Sequence, residues 1–227
     1  MNKCSKILDV YSKYSSRLTQ YGYRRPNFPE GLSEQLALLC LENKYKYKKF
    51  MKGKTGDIVS NDNKKIEVKC FTSTGPISFG PTEKWDSLVF VDGTDYIKKH
   101  FIVYEFPYSN TSLEIQQLLI NKKERFCDQS KKGRRPRLCF DKFYIQHKTK
   151  IEIIFDGYVM SNKEKVDIFL QIMPKNIQVS LNTFMGLSSM KKINYYCCIC
   201  SGSYTSSFDE LYGTRHFCNC VSTSRLN

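Results

Sequence analysis

Apolar residues recur at helical spacing along residues 3–20 and again along 33–46, where Leu36, Leu39 and Leu41 follow Ser33, a residue suited to cap a helix start. Pro26 and Pro29 interrupt the chain between these segments. After Gly53 and Gly56 the pattern changes to the alternation of extended chain. It predicts strands over 57–60 and 65–71 about a turn at Asn61-Asp62-Asn63. Further strands are predicted over 87–91, 100–106, 151–159 and 166–173, each rich in Ile, Val, Phe or Tyr. Helical or irregular segments separate several of them. The expected fold class is therefore α/β or α+β, a central mixed β-sheet flanked by helices.

Composition adds limits. At 227 residues the chain can bury a substantial core, and 41% hydrophobic with 14% aromatic residues excludes a disordered chain. No apolar run approaches the length that crosses a bilayer. The start, MNKCSKILDVYSKYSS, lacks the apolar stretch and cleavage site of a secretory signal, so an intracellular, cytoplasmic location is expected. Thirty-six Lys and Arg against 22 Asp and Glu leave a net charge of +14, which favours nucleic acid as partner. The plainer alternative is a lysine-rich surface inherited from an AT-rich coding sequence. Composition shifts after about residue 190, which suggests a main domain over 1–190 and a Cys/His-rich appendage over 191–227.

Charge patterning within one hairpin changes the picture most. Residues 56–71 read GDIVSNDNKKIEVKCF. In a strand, Lys65, Glu67 and Lys69 share one face, while Ile66, Val68 and Cys70 share the other. If Asp57 lies on the neighbouring strand, its carboxylate can approach that of Glu67. Two close carboxylates repel unless a cation lies between them, and hard oxygen ligands suit Mg2+. Such an ion can bind a phosphate oxygen and lower the pKa of a bound water, with Lys69 beside the phosphate. Taken alone the spacing is weak, since Glu42-Asn43-Lys44 repeats it. A solvated edge hairpin is the plain alternative.

Asp57, nine residues, then Glu67-Val68-Lys69 resembles the D-x(n)-(D/E)-x-K signature of PD-(D/E)XK nucleases, with Gly56 where the motif's proline would stand. The stretches FPEGLSEQLALL (28–39), VKCFTSTGPISFGPTEKWDSLVFVDG (68–93) and KKGRRPRLCF (131–140) resemble small type II restriction endonucleases. The resemblance spans roughly residues 26–160. It implies Mg2+-dependent hydrolysis of double-stranded DNA, with Asp57, Glu67 and Lys69 as the catalytic triplet. A further acidic residue, Glu34, is implied as a second metal or water ligand; its other reading is a first-turn glutamate that complements the helix dipole. The resemblance also implies functional pairing with a DNA methyltransferase. A symmetric recognition site would favour a homodimer.

The run KKGRRPR places Lys131, Lys132, Arg134, Arg135 and Arg137 in seven residues, with Gly133 and Pro136 excluding a long helix. These cations suit phosphates or guanine edges. The segment GPISFGPTEKWD follows the catalytic strand and offers Ser78, Thr82, Glu83 and Lys84 as a second DNA contact, while Trp85 fits a core anchor better than a stacking platform. Of ten cysteines, Cys4, Cys40, Cys70, Cys127 and Cys139 read as small core residues. The others crowd the tail. Cys197-x-x-Cys200, then His216, Cys218 and Cys220, predict one structural Zn2+ held by the first pair, Cys218, and either Cys220 or His216. Free or disulfide-linked thiols are the alternative. The competing functions are a nicking, junction-resolving or repair nuclease, and a non-catalytic basic zinc-containing DNA-binding protein.

Overall fold

The structure, a computed structural model, describes residues 2–53, 58–179, 192–214, 217–218 and 220. The chain divides into two compact units, one of residues 10–156, the other of 1–9 with 157–227. The helix α1 (Asn2–Gln20) opens the chain. Next comes α2 (Glu30–Lys44), which buries Leu36, Ala37, Cys40 and Leu41 as one stripe. This helix starts earlier than the pattern predicted. Pro29 is its N-cap, and the Ser33 hydroxyl instead donates to the Glu30 carbonyl at 2.8 Å. Glu34 therefore lies beyond the first turn, where the helix dipole acts most strongly.

The first unit is built on a six-stranded sheet. Its strands are β1 (Phe50–Lys52), β2 (Ile58–Ser60), β3 (Lys65–Phe71), β5 (Ser87–Asp92), β6 (His100–Phe106) and β8 (Glu152–Tyr158), neighbours in that order. Between β3 and β5 lies the short strand β4 (Ile77–Ser78), which belongs to a separate two-stranded ribbon with β7 (Arg137–Leu138). The intervening helices are α3 (Leu113–Gln116), α4 (Phe126–Lys131) and α5 (Phe140–His147). The sheet is mixed, as expected: β3 and β5 are parallel, whereas β1, β2 and β3 pair antiparallel, as do β5 and β6.

Register sorts the side chains by face. Glu67 stands beside Leu88 and Lys69 beside Phe90, so all four project to the same side of the sheet. That side carries an aromatic core of Phe79, Trp85, Phe90, Phe106, Phe126, Phe140 and Phe143. Each such ring, fully buried, stabilises the fold by about 1.5–3 kcal/mol. Trp85, only 3% exposed and edge-on to Phe126, is the core anchor that its surroundings suggested. Cys4 and Cys40 are buried, while Cys70, Cys127 and Cys139 are half-buried.

One expectation fails in the second unit. Residues 166–173 lie in a helix and its cap, α6 (Asn162–Ile172), not a strand. Ser161 caps it by accepting from the Glu164 backbone N–H, while the Glu164 carboxylate accepts from the Ser161 N–H. This S-x-x-E capping box outweighs the local run of β-favouring residues. The main division between the compact units falls after residue 156. The reason is topological: β9 (Ile177–Val179) pairs with β10 (Lys192–Cys197), so one sheet includes residues from both sides of position 190. A third strand, β11 (Gly202–Ser207), pairs with β10, and α7 (Phe208–Thr214) follows.

Candidate active site and DNA interface

Parallel strands cannot be joined by a tight turn. After Phe71 the chain must return to the start of β3, where the Asp86 N–H donates to the Lys65 carbonyl at 2.8 Å. Residues 72–86 make this return, which brings Phe79 and Glu83 to the face that bears Glu67 and Lys69. The proximity of the GPISFGPTEKWD segment to the strand is thus a requirement of the topology.

Glu67 is buried at 8% exposure on an internal strand, flanked by β2 and β5. The solvated edge hairpin is therefore excluded for β3. A carboxylate so enclosed is costly without a counter-charge. Lys69 supplies it, since its amine forms an ion pair with the Glu67 carboxylate. The same amine lies 3.9 Å from Glu83 Oε2 and 5.6 Å from the centre of the Phe79 ring. Glu83 is in turn oriented by the Gly80 N–H, which donates to Oε2 at 2.8 Å. The sequence offers Glu83 only as part of the DNA-contact segment; the crossover is what brings it to Lys69. A pocket of about 320 Å3 is lined by Glu67, Glu83, Thr82, Lys84, Lys65, Ile66 and Trp85. Lys69 and Ser78 share a second cavity of about 450 Å3, together with Arg24 and Asn27.

Asp57 lies outside the described residues. The hairpin is described from Ile58, which stands opposite Ile66, the residue before Glu67. Glu34 is 12% exposed at its side chain, and its Oε2 lies 2.6 Å from the Lys52 amine.

The two segments expected to touch DNA form one ribbon. Ser78 stands opposite Arg137, and the Phe79 N–H donates to the Pro136 carbonyl at 2.9 Å. The basic run differs from residue to residue. Lys131 ends α4, and Gly133 turns the chain with φ 67° in the left-handed region. Lys132 and Arg134 both reach Glu124 Oε1, at 2.9 and 2.6 Å. Hydrogen bonds from Lys132, Gln129, Asn121 and Arg134 hold the Glu124 carboxyl down to about 2. Arg135 and Arg137 are exposed, as are Thr82 and Lys84.

A family model described as "Bsp6I restriction endonuclease" matches residues 1–147. The chain belongs to this restriction endonuclease family. No curated protein and no solved structure matches significantly. The Bsp6I match covers the Glu67 and Lys69 strand, the crossover and the whole β4–β7 ribbon, so the site described above lies inside the endonuclease region. Membership makes the chain a nuclease that binds DNA. No helix among the described residues is long and apolar enough to cross a membrane.

The cysteine cluster lies outside the Bsp6I match. Sulfurs of Cys197, Cys200, Cys218 and Cys220 all fall within 4.8 Å of one another. Cys197 and Cys218 are buried, Cys200 and Cys220 exposed. The Cys200 backbone N–H pulls the Cys197 thiol down to about 6, while Cys200 pushes Cys220 up to about 12. Cys198 is exposed, and His216 lies outside the described residues.

Proposed function

We propose that the chain is a type II restriction endonuclease of the PD-(D/E)XK superfamily, which hydrolyses double-stranded DNA at a specific sequence. The observation that carries this reading is the buried Glu67 paired with Lys69 on an internal strand, beneath the crossover that holds the ribbon. Asp57 and Glu67 are the residues that would hold Mg2+, and their hard carboxylate oxygens fit that ion. When bound, it supplies a Lewis acid at the phosphate and a water of lowered pKa.

The rest is the work of the chain's own side chains. Lys69 contacts a non-bridging phosphate oxygen, and Glu83 keeps its amine on the catalytic face. Thr82 and Lys84, at the rim of the pocket, hold the flanking phosphates. Ser78 and Arg137 present the ribbon to the duplex, with Arg135 beside them and Lys131, Lys132 and Arg134 as supporting cations. Glu34, held by Lys52, is a supporting acidic residue rather than a member of the triplet. A homodimer would match a two-fold DNA site, and pairing with a DNA methyltransferase and an intracellular location belong to the same reading.

Plasmid DNA incubated with the protein, with and without Mg2+, tests this. Discrete fragments that require the ion are expected. Nicked or structure-dependent products would favour a nicking, junction-resolving or repair nuclease, and retardation without cleavage a DNA-binding protein that lacks catalysis.

A further inference from the structure

Outside the residues that match the endonuclease family, the second unit gathers four thiols from two separate chain segments. We propose that Cys197, Cys200, Cys218 and Cys220 bind one zinc ion as a closed four-thiolate site, which staples the end of the chain to the β9–β10–β11 sheet.

Local structure is arranged around these sulfurs. Cys197 ends β10, and the turn to β11 passes through Ser201 at φ 54°, a left-handed conformation that tightens the Cys-x-x-Cys loop. Gly202 opens β11, and a Cβ there would meet the Tyr204 hydroxyl at 2.8 Å. Its absence lets the Tyr204 ring lie against the turn, where its hydroxyl is 3.1 Å from Cys200 Sγ. Asn176 grips the same turn twice: its Nδ2 donates to Cys197 Sγ at 3.2 Å, and its carbonyl accepts from the Cys198 N–H at 2.8 Å. Donors aimed at ligand sulfurs are the outer layer that orients thiolates around a metal. The second pair is fixed independently, since the buried Tyr195 hydroxyl donates to the Phe217 carbonyl at 2.7 Å. Cys218 then lies 3.3 Å from Cys197, sulfur to sulfur.

The chemistry of the donor set selects the ion. Zinc–sulfur bonds of about 2.3 Å in a tetrahedron require sulfurs about 3.8 Å apart, a spacing that a cluster within 4.8 Å meets with small side-chain shifts. Thiolates are soft donors and discriminate against Mg2+ and Ca2+, so this site does not compete for the ion of the carboxylates. Four protein ligands leave no open position, which assigns the zinc a structural rather than a catalytic role. The proposal thus takes Cys220 rather than His216, which lies outside the described residues, as the fourth ligand.

Elemental analysis of the full-length protein, washed with a mild chelator, tests the site without DNA or Mg2+, so its outcome is separate from that of the cleavage assay. One zinc per chain is expected, and His216→Ala should keep it. Cys200→Ser and Cys220→Ser should each lose most of it. Should those variants fail to fold, thiol alkylation of the unaltered protein gives an independent reading. Cys200, Cys220 and Cys198 are all exposed, yet metal should slow the first two by on the order of tenfold relative to Cys198 until a strong chelator is added. A folded, metal-free protein would overturn the proposal. So would iron in place of zinc, loss of zinc in His216→Ala, equal alkylation of all three thiols, or a mass lower by two hydrogens per disulfide.

Discussion

Glu-x-Lys occurs twice in this chain, and the two copies have opposite fates. Glu67 and Lys69 sit on β3, where residues two apart share a face, and they pair with each other against the aromatic core. Glu42 and Lys44 sit at the end of α2, where residues two apart point to nearly opposite sides. Glu42 is exposed, while the Lys44 amine reaches two other strands, at 2.7 Å from Glu105 and 2.6 Å from Glu152. The Tyr45 hydroxyl also bonds Glu105. The same Glu-x-Lys spacing thus gives an ion pair within a strand, whereas on the helix its lysine ties α2 to two strands. What differs is the period of the backbone that carries them.

The largest effect should come from the strand copy. Glu67→Ala or Lys69→Ala should lower the cleavage rate by about two to three orders of magnitude. Fluorescence anisotropy with the cognate duplex should show binding retained in Lys69→Ala. A folded Lys69→Ala protein with full cleavage activity would sink the assignment. Lys44→Ala should act on stability instead. It leaves Glu105, buried at 6% exposure, short of its cation, at a cost of about 2 kcal/mol, read as a lowered denaturation midpoint with near-normal turnover by the folded fraction.

A smaller effect separates the cations tethered to Glu124 from the others in the basic run. Replacing Arg135 or Arg137 by Ala should flatten the slope of log affinity against log salt by roughly 0.9 for each phosphate that is no longer neutralised. An altered sequence preference at constant slope would assign that arginine to a base edge. Glu124→Gln should do the reverse, steepening the slope as Lys132 and Arg134 are released. Because its pKa is lowered, the Glu124 clamp is fully present above the ordinary carboxylate range and is lost only as pH falls towards about 2, so the contrast should hold at neutral pH. Glu42→Ala should change stability by less than about 0.5 kcal/mol and leave cleavage intact. A large loss of cleavage there would erase the distinction between the two copies.

Legibility in the sequence followed the range of the interactions. The strands at 65–71 and 100–106 are found where they are expected, the first from its alternation and the second from its Ile, Val, Phe and Tyr content, because both signals are local. Residues 166–173 were misread because β-branched and aromatic residues are a weak signal beside a capping box five residues upstream of Val166. Glu67 and Lys69 were legible as a pair, since their relation is local. Glu83 was not, since its approach to Lys69 depends on β3 and β5 being parallel, and periodicity does not report strand direction. The joining of Ser78 to Arg137 is likewise a long-range pairing between two-residue strands, too short to leave a pattern.

The crossover between β3 and β5 also determines where this protein can change length. Its fifteen residues, 72–86, could span about 50 Å if extended, whereas the seven residues of β3 that they retrace cover only about 23 Å. The surplus is not evenly spread. Phe79 and Trp85 are locked in the core and Glu83 is held by Gly80, but residues 73–76 are exposed. Insertions at that corner can be absorbed by loop entropy, which grows slowly with length. The same insertion between Phe79 and Trp85 would pull the ribbon and Glu83 out of step with Lys69. For an engineer, residues 73–76 are therefore a place to graft extra chain beside the face that bears Glu67 and Lys69 without disturbing it.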